Sequence, residues 1–71
     1  MIGYYSPSLD SVISWVERKM EKVGLVLRGT SQKDVQRYKS EEITCYFYSF
    51  DNSSGRTVNV KKHRNGWKVV L

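Results

Sequence analysis

The residues best suited to chemistry are aromatic and basic side chains in the last third of the chain. Tyr46, Tyr48 and Phe50 alternate along one segment, and lysines and a histidine alternate along the two segments that follow. Aromatic rings stack on nucleobases and cationic groups contact phosphates, so this combination is typical of proteins that bind single-stranded nucleic acid. The candidate nucleic-acid contacts are Tyr46, Tyr48, Phe50, Arg56, Lys61, His63, Arg64 and Lys68.

The positive charge of the chain is concentrated at the same end. The net charge is +5, and residues 52–71 contain lysines and arginines but no aspartate or glutamate. Such a concentration favours a polyanion, or an acidic protein surface, as the partner.

Residue patterns typical of catalysis or metal binding are missing from the sequence. His63 is the only histidine, and Cys45 is the only cysteine, so no intramolecular disulfide can form. Glu41 and Glu42 are adjacent, and on an extended segment their side chains would point to opposite sides. The sequence also lacks metal-ligand spacing and a glycine-rich phosphate loop. We therefore predict a protein that is not an enzyme and that uses no metal and no cofactor.

The N-terminus lacks the basic-then-apolar layout of a signal peptide, and no apolar run is long enough to span a membrane. These features predict an intracellular, cytoplasmic protein without membrane association.

A helix is predicted for residues 7–23. Ser6 is placed as its N-cap, Pro7 at its first helical position and Gly24 as its left-handed C-terminal cap. An apolar stripe at helical spacing makes this helix amphipathic; it contains Leu9, Val12, Ile13, Val16, Met20 and Val23. Trp15 lies beside the stripe and is expected at the margin of the core.

Strands are predicted for residues 25–28, 43–50, 56–64 and 67–71. Residues 25–28 are a short apolar strand, and residues 43–50 are rich in β-branched and aromatic residues. Residues 35–39 are either a short edge strand or an extended loop, and residues 1–5 are either an edge strand or a packed tail. The chain therefore reads as a single α+β domain, residues 1–71. One N-terminal amphipathic helix packs on a three- to five-stranded, mostly antiparallel sheet that ends in a C-terminal β-meander.

Asn65-Gly66 is a strong hairpin signal, because both residues tolerate the positive φ angles of a type I′ turn. A turn at this dipeptide pairs Arg64 with Trp67. One face of the hairpin then carries Val58, Val60, Trp67, Val69 and Leu71. The other face carries Thr57, Asn59, Lys61, His63, Lys68 and Val70. This separation of apolar from polar side chains is typical of a sheet with a helix on one side.

The preceding hairpin is assigned a four-residue loop, 52–55, which pairs Phe47 with Val60. Ile43, Cys45 and Phe47 then face the helix. The opposite side receives Thr44, Tyr46, Tyr48 and Phe50, next to Asn59 and Lys61. A change of one residue in the loop length would exchange the two sets completely.

The predicted function is non-enzymatic binding of nucleic acid, single-stranded or RNA, through a basic and aromatic sheet face. Two alternatives remain. The protein is a small adaptor or phage-type inhibitor that binds a larger host protein, or it forms a homodimer through the same aromatic face. A helix with an antiparallel meander serves many functions, so fold alone does not choose among them.

Overall fold

A computed structural model of the chain describes residues 2–31 and 41–71, which form a helix and a five-stranded antiparallel sheet. The elements are β1 (Gly3–Ser6), α1 (Leu9–Glu21), β2 (Leu25–Thr30), β3 (Glu42–Ser49), β4 (Gly55–His63) and β5 (Gly66–Val70). The strand order is β1-β5-β4-β3-β2. The predicted α+β fold is confirmed, and the uncertain segment 35–39 lies outside the described residues.

Helix α1 begins two residues later than predicted. Its N-cap is Ser8, whose side-chain oxygen accepts a hydrogen bond from the Ser11 N–H at 3.4 Å. Ser6 and Pro7, predicted as the N-cap and the first helical residue, both precede the helix. Ser6 belongs to β1, where it pairs with Trp67, and its side-chain oxygen accepts a hydrogen bond from the Ser8 N–H at 3.1 Å. Gly24 adopts the predicted left-handed φ of 80°, but the helix ends at Glu21 with Lys22 as its C-cap, two residues before the predicted end.

Helix α1 covers one face of the sheet and forms the core with it. Its buried side chains are Val12, Ile13, Val16 and Met20. They pack with sheet residues Ile43, Cys45, Phe47, Val58, Val60, Trp67 and Val69. These are the inward positions that strand alternation predicts. Trp15 lies at the core margin, as expected, with its ring stacked 5.2 Å from that of Tyr4.

The β3–β4 hairpin has a different register from the predicted one. Phe47 pairs with Arg56, four residues before Val60. The loop does contain four residues, but they are 50–53, because the Ser49 N–H donates to the Ser54 carbonyl at 2.9 Å. Asp51 holds this turn: its Oδ1 accepts from the Ser49 hydroxyl at 2.8 Å and from the Ser53 N–H at 3.0 Å. The shift is an even number of residues, so the side chains that remain in the two strands keep their predicted faces, whereas Phe50, predicted on the outer side, lies in the loop.

The β4–β5 hairpin also differs from the prediction. His63 pairs with Gly66, so Arg64 and Asn65 form the turn, and the left-handed residue is Arg64 with φ 56°. Gly66 is therefore a strand residue, and β1 passes very close to it. A Cβ at Gly66 would lie 2.6 Å from the Ser6 carbonyl oxygen. This shift of two residues is again even, so the predicted faces are retained.

The N-terminal segment is an edge strand rather than a tail. β1 pairs with β5 from Gly3–Val70 to Ser6–Trp67. Ile2 and Leu71 extend the ladder by exchanging backbone hydrogen bonds of 3.2 and 2.7 Å. In the part of the chain that the structure describes, no helix is long and apolar enough to cross a membrane.

Candidate nucleic-acid interface

The sheet face opposite α1, here called the outer face, is not covered by any of the described elements. Because the strands alternate, their buried positions direct the intervening side chains to this face. The larger side chains there come from all five strands: Tyr5, Val26, Thr44, Tyr46, Tyr48, Asn59, Lys61, His63, Lys68 and Val70.

An aromatic patch, defined by Val26, Tyr46 and Tyr48, occupies one end of the outer face. These side chains are 40–41% exposed, so each has one side against its neighbours and one side toward solvent. The Tyr48 ring lies against Gly55, where a Cβ would come within 2.7 Å of the ring atom Cε1. The absence of a side chain at Gly55 therefore lets the ring lie low over β4, as a stacking surface requires.

Two further residues border the aromatic patch. Phe50 lies in the loop after β3 rather than on the sheet, and it is 88% exposed. A β-bulge in β2 occurs at Arg28, which donates a hydrogen bond to the Phe50 carbonyl at 3.4 Å. Arg28 lines a shallow pocket with Tyr48 and Asn52. Sequence reasoning missed Arg28, although its alternation with Leu25 and Leu27 was a signal that it would point away from the core.

A basic cluster, defined by Lys61, His63, Arg64 and Lys68, occupies the other end. Lys61 and Lys68 are directly opposite each other on β4 and β5. Lys61 Nζ lies 3.9 Å from a carboxylate oxygen of Glu42, and both side chains are largely exposed. Positive charge is therefore concentrated at this end of the outer face. Like charges in directly opposite positions destabilise a sheet.

Tyr5 adds a ring to the basic cluster that sequence reasoning did not identify. It lies on β1 opposite Lys68, with its ring edge-to-face against His63 at a centroid distance of 6.0 Å and an interplanar angle of 87°. Tyr5 was missed because β1 has four residues, too few for alternation to show which tyrosine faces outward.

The observed register separates the aromatic patch from the basic cluster. Tyr46 is opposite Thr57, whereas the predicted register placed it next to Lys61. Lys61 follows Thr57 by four residues, or about 14 Å at the usual rise of a strand. A ligand must therefore be extended along the strands to contact both.

Arg56 lies apart from the other candidate residues. It is paired with buried Phe47, so its side chain starts from the helix side of the sheet. A groove of about 580 Å³ connects it with the basic cluster. The groove lies where the β4–β5 ladder has ended. The last pair of that ladder is Lys61–Lys68, whereas β4 continues along β3 as far as Gly55.

The one described thiol offers little chemistry at neutral pH. Burial, together with a smaller effect from the negative charge of Glu17, raises the pKa of Cys45 to about 11. The thiolate is the nucleophilic form, so buried Cys45 acts as a small apolar residue of the core. Among the described residues, no group of three histidine, cysteine, aspartate or glutamate side chains could hold a metal ion.

Comparisons with family models, with curated proteins and with solved structures find no match to this chain. Function is therefore inferred from the geometry of the outer face.

Proposed function

We propose that this protein binds nucleic acid, single-stranded or RNA, in the cytoplasm through its outer face, without catalysing a reaction. The observation that supports this proposal is the position of half-exposed Tyr46 and Tyr48 on the same uncovered face as Lys61 and Lys68. Proteins bind single-stranded nucleic acid with aromatic rings, which stack on the bases, and with cationic groups, which contact the phosphates.

In this proposal the two ends of the outer face have different tasks. Bases stack on Tyr48, whose ring is held low over Gly55, and on its neighbour Tyr46. Phosphates contact Lys61 and Lys68, about 14 Å along the strands. Stacking on an aromatic side chain contributes about 1–3 kcal/mol per base, and the phosphate contacts make binding dependent on salt.

The test is the affinity of labelled single-stranded DNA and RNA oligonucleotides, measured by fluorescence anisotropy across a salt series. The double variant Lys61→Ala with Lys68→Ala should weaken binding. Each lost phosphate contact should also reduce the slope of log affinity against log salt by about 0.7. A matched control is Arg18→Ala with Lys22→Ala, which removes the same charge from exposed positions at the helix. The proposal fails if no oligonucleotide binds at low salt, or if the two double variants behave alike.

A second candidate function is a small adaptor or phage-type inhibitor that binds a larger protein, and the apolar exposure of the outer face favours it. Phe50 is 88% exposed and Val70 is 51% exposed, and exposed apolar patches often mark protein interfaces. A homodimer formed through the same face belongs to this class.

Two measurements distinguish these functions. Recovery of one stoichiometric protein from a nuclease-treated host lysate would support the adaptor or inhibitor. If the mass measured by analytical ultracentrifugation rises with protein concentration, and the Tyr46→Ala variant has the mass of a monomer, the homodimer is supported. Nucleic-acid binding is supported if the protein is a monomer that binds oligonucleotides, and if nuclease treatment of the lysate removes every other partner.

A further inference from the structure

A small pocket lies at the end of the outer face, beside the β4–β5 turn. It encloses about 270 Å³ and is lined by Tyr5, His63, Arg64 and Lys68. Its members come from β1, the end of β4, the turn and β5, so the pocket exists only in the folded chain. Two rings in edge-to-face contact form one side, and an arginine and a lysine supply cationic groups.

No acidic side chain of the described residues balances the charge of this pocket. Within residues 2–31 and 41–71, Glu42 forms an ion pair with Lys61, and no acidic side chain pairs with Arg64 or Lys68. Lys68 also faces Lys61 directly across the hairpin. Opposed like charges cost stability, so an anion bound beside Lys68 in the pocket would reduce its repulsion with Lys61.

The backbone around the pocket is arranged to bring these side chains together. Arg64 has a φ of 56°, which is uncommon for a residue other than glycine. Gly66 lacks the Cβ that would lie 2.7 Å from the Tyr5 hydroxyl oxygen. A two-residue hairpin turn requires a positive φ at its first position, so the turn itself accounts for the backbone of Arg64 and leaves its side chain at the end of the sheet. The Tyr5 ring lies over the hairpin beside it.

We propose that this pocket binds a phosphate monoester, and that in a bound nucleic acid this group is the terminal phosphate of the strand. The inference rests on the proposed function for the identity of the ligand. A monoester carries about −1.5 to −2 charges at pH 7, more than the single charge of an internal phosphodiester, and so matches the excess of cations better. The pocket also lies at the hairpin turn, where a strand that runs along the outer face from the aromatic patch reaches the end of the sheet.

Each lining residue has a defined task. The planar guanidinium of Arg64 can donate two parallel hydrogen bonds to phosphate oxygens, and the ammonium of Lys68 supplies a point charge. The hydroxyl of Tyr5 and a ring N–H of His63 complete the donor set. Tyr5 and His63 also form one wall of the pocket through the edge-to-face contact of their rings.

The experiment compares one oligonucleotide sequence in three forms: with a 5′-phosphate, with a 3′-phosphate and with hydroxyls at both ends. One phosphorylated form should bind about tenfold more tightly than the hydroxyl form, since charge-assisted hydrogen bonds are the added contacts. Arg64→Gln and Tyr5→Phe should each reduce this preference. Lys62→Gln is the control, because Lys62 is next to His63 but lies over Trp67 on the helix side. Equal affinities for the three forms, or equal effects of Arg64→Gln and Lys62→Gln, would overturn the proposal.

A second measurement separates failure of this inference from failure of the proposed function. Inorganic phosphate is titrated into the protein while the NMR signals of Tyr5 and His63 are recorded. Saturable shifts that Arg64→Gln abolishes support the pocket even if no oligonucleotide binds, and the free anion is then the ligand. If the hydroxyl oligonucleotide binds but phosphate causes no shift and no preference, the pocket is rejected and nucleic-acid binding stands.

Discussion

The two faces of the sheet are built from the same strands but differ in what stabilises them. On the helix side, side chains such as Phe47 and Val60 are fully buried, and aliphatic residues predominate. On the outer face, half-exposed tyrosines occupy one end, and two lysines face each other at the other end. The helix side is explained by packing alone. The outer face contains two lysines in directly opposite positions, an arrangement that packing does not explain and that the proposed binding function would explain.

The largest expected effect is on the free energy of unfolding, and it compares adjacent residues of β3 whose side chains point to opposite faces. Phe47→Ala should lower the free energy of unfolding by about 3–5 kcal/mol, because it leaves a cavity in the core. Tyr46→Ala should lower it by about 1 kcal/mol or less, since the ring is half-exposed. Urea denaturation followed by circular dichroism measures both. Similar losses for the two variants would contradict the assignment of faces.

The next effect is on binding and concerns the aromatic patch. Tyr48→Ala should weaken oligonucleotide binding by about 1–3 kcal/mol, the usual contribution of one stacked base. Tyr48→Phe keeps the ring and should bind nearly as well as the parent protein. Titration by fluorescence anisotropy gives the affinities. A loss of binding in Tyr48→Phe as large as in Tyr48→Ala would indicate that the hydroxyl, and not stacking, is responsible.

A smaller effect on the free energy of unfolding is expected when lysine is replaced by threonine on each of the two faces. Lys68→Thr should raise the free energy of unfolding by about 0.2–1 kcal/mol, because it removes the repulsion with Lys61. Lys62→Thr should lower it, because Lys62 Nζ lies 5.0 Å from the Trp67 ring centroid, and such contacts contribute about 0.5–1 kcal/mol at exposed sites. Thermal denaturation at low salt measures both changes. Shifts of the same sign would count against the functional explanation of the lysine pair.

The smallest effect concerns the loop that sets the β3–β4 register. Hydrogen bonds from the Ser53 side chain, the Ser53 backbone and the Ser49 side chain lower the pKa of Asp51 from 3.8 to about 2. A carboxyl with a lowered pKa stabilises the fold above its unfolded pKa, and this stabilisation is lost as the pH falls through the folded value. The stability difference between the parent protein and Asp51→Asn should therefore be constant above about pH 5 and disappear near pH 2. A difference that does not change with pH would exclude this role of Asp51.

Much of the fold could be predicted because its signals are local. The apolar stripe of α1, the Gly24 cap and the alternation around Val58 and Val60 each depend on neighbouring residues. The registers could not be predicted in the same way. One turn lies two positions earlier than predicted, where hydrogen bonds to Asp51 stabilise it, and the other lies one position earlier, where β1 passes close to Gly66. Both registers changed by an even number of residues, so the assignment of faces was correct although the pairing was wrong.

The candidate site was predicted in its parts but not in its arrangement. Lys61, His63 and Lys68 lie together, with Arg64 at the adjoining turn, and Tyr46 and Tyr48 form a separate patch. Phe50 lies in a loop, and Arg56 starts from the helix side. Tyr5 and Arg28 join the outer face through strand pairings between distant parts of the chain.

The sequence by itself determined which side chains face the helix and which face away, because alternation along a strand is a property of the strand alone. Only the tertiary structure decided how far apart the aromatic patch and the basic cluster lie. That distance depends on register, and register depends on contacts between segments far apart in the chain. The hydrogen bonds between Ile2 and Leu71 and the contact of Ser6 with Gly66 are of this kind, and they belong to the β1–β5 pairing that places Tyr5 opposite Lys68.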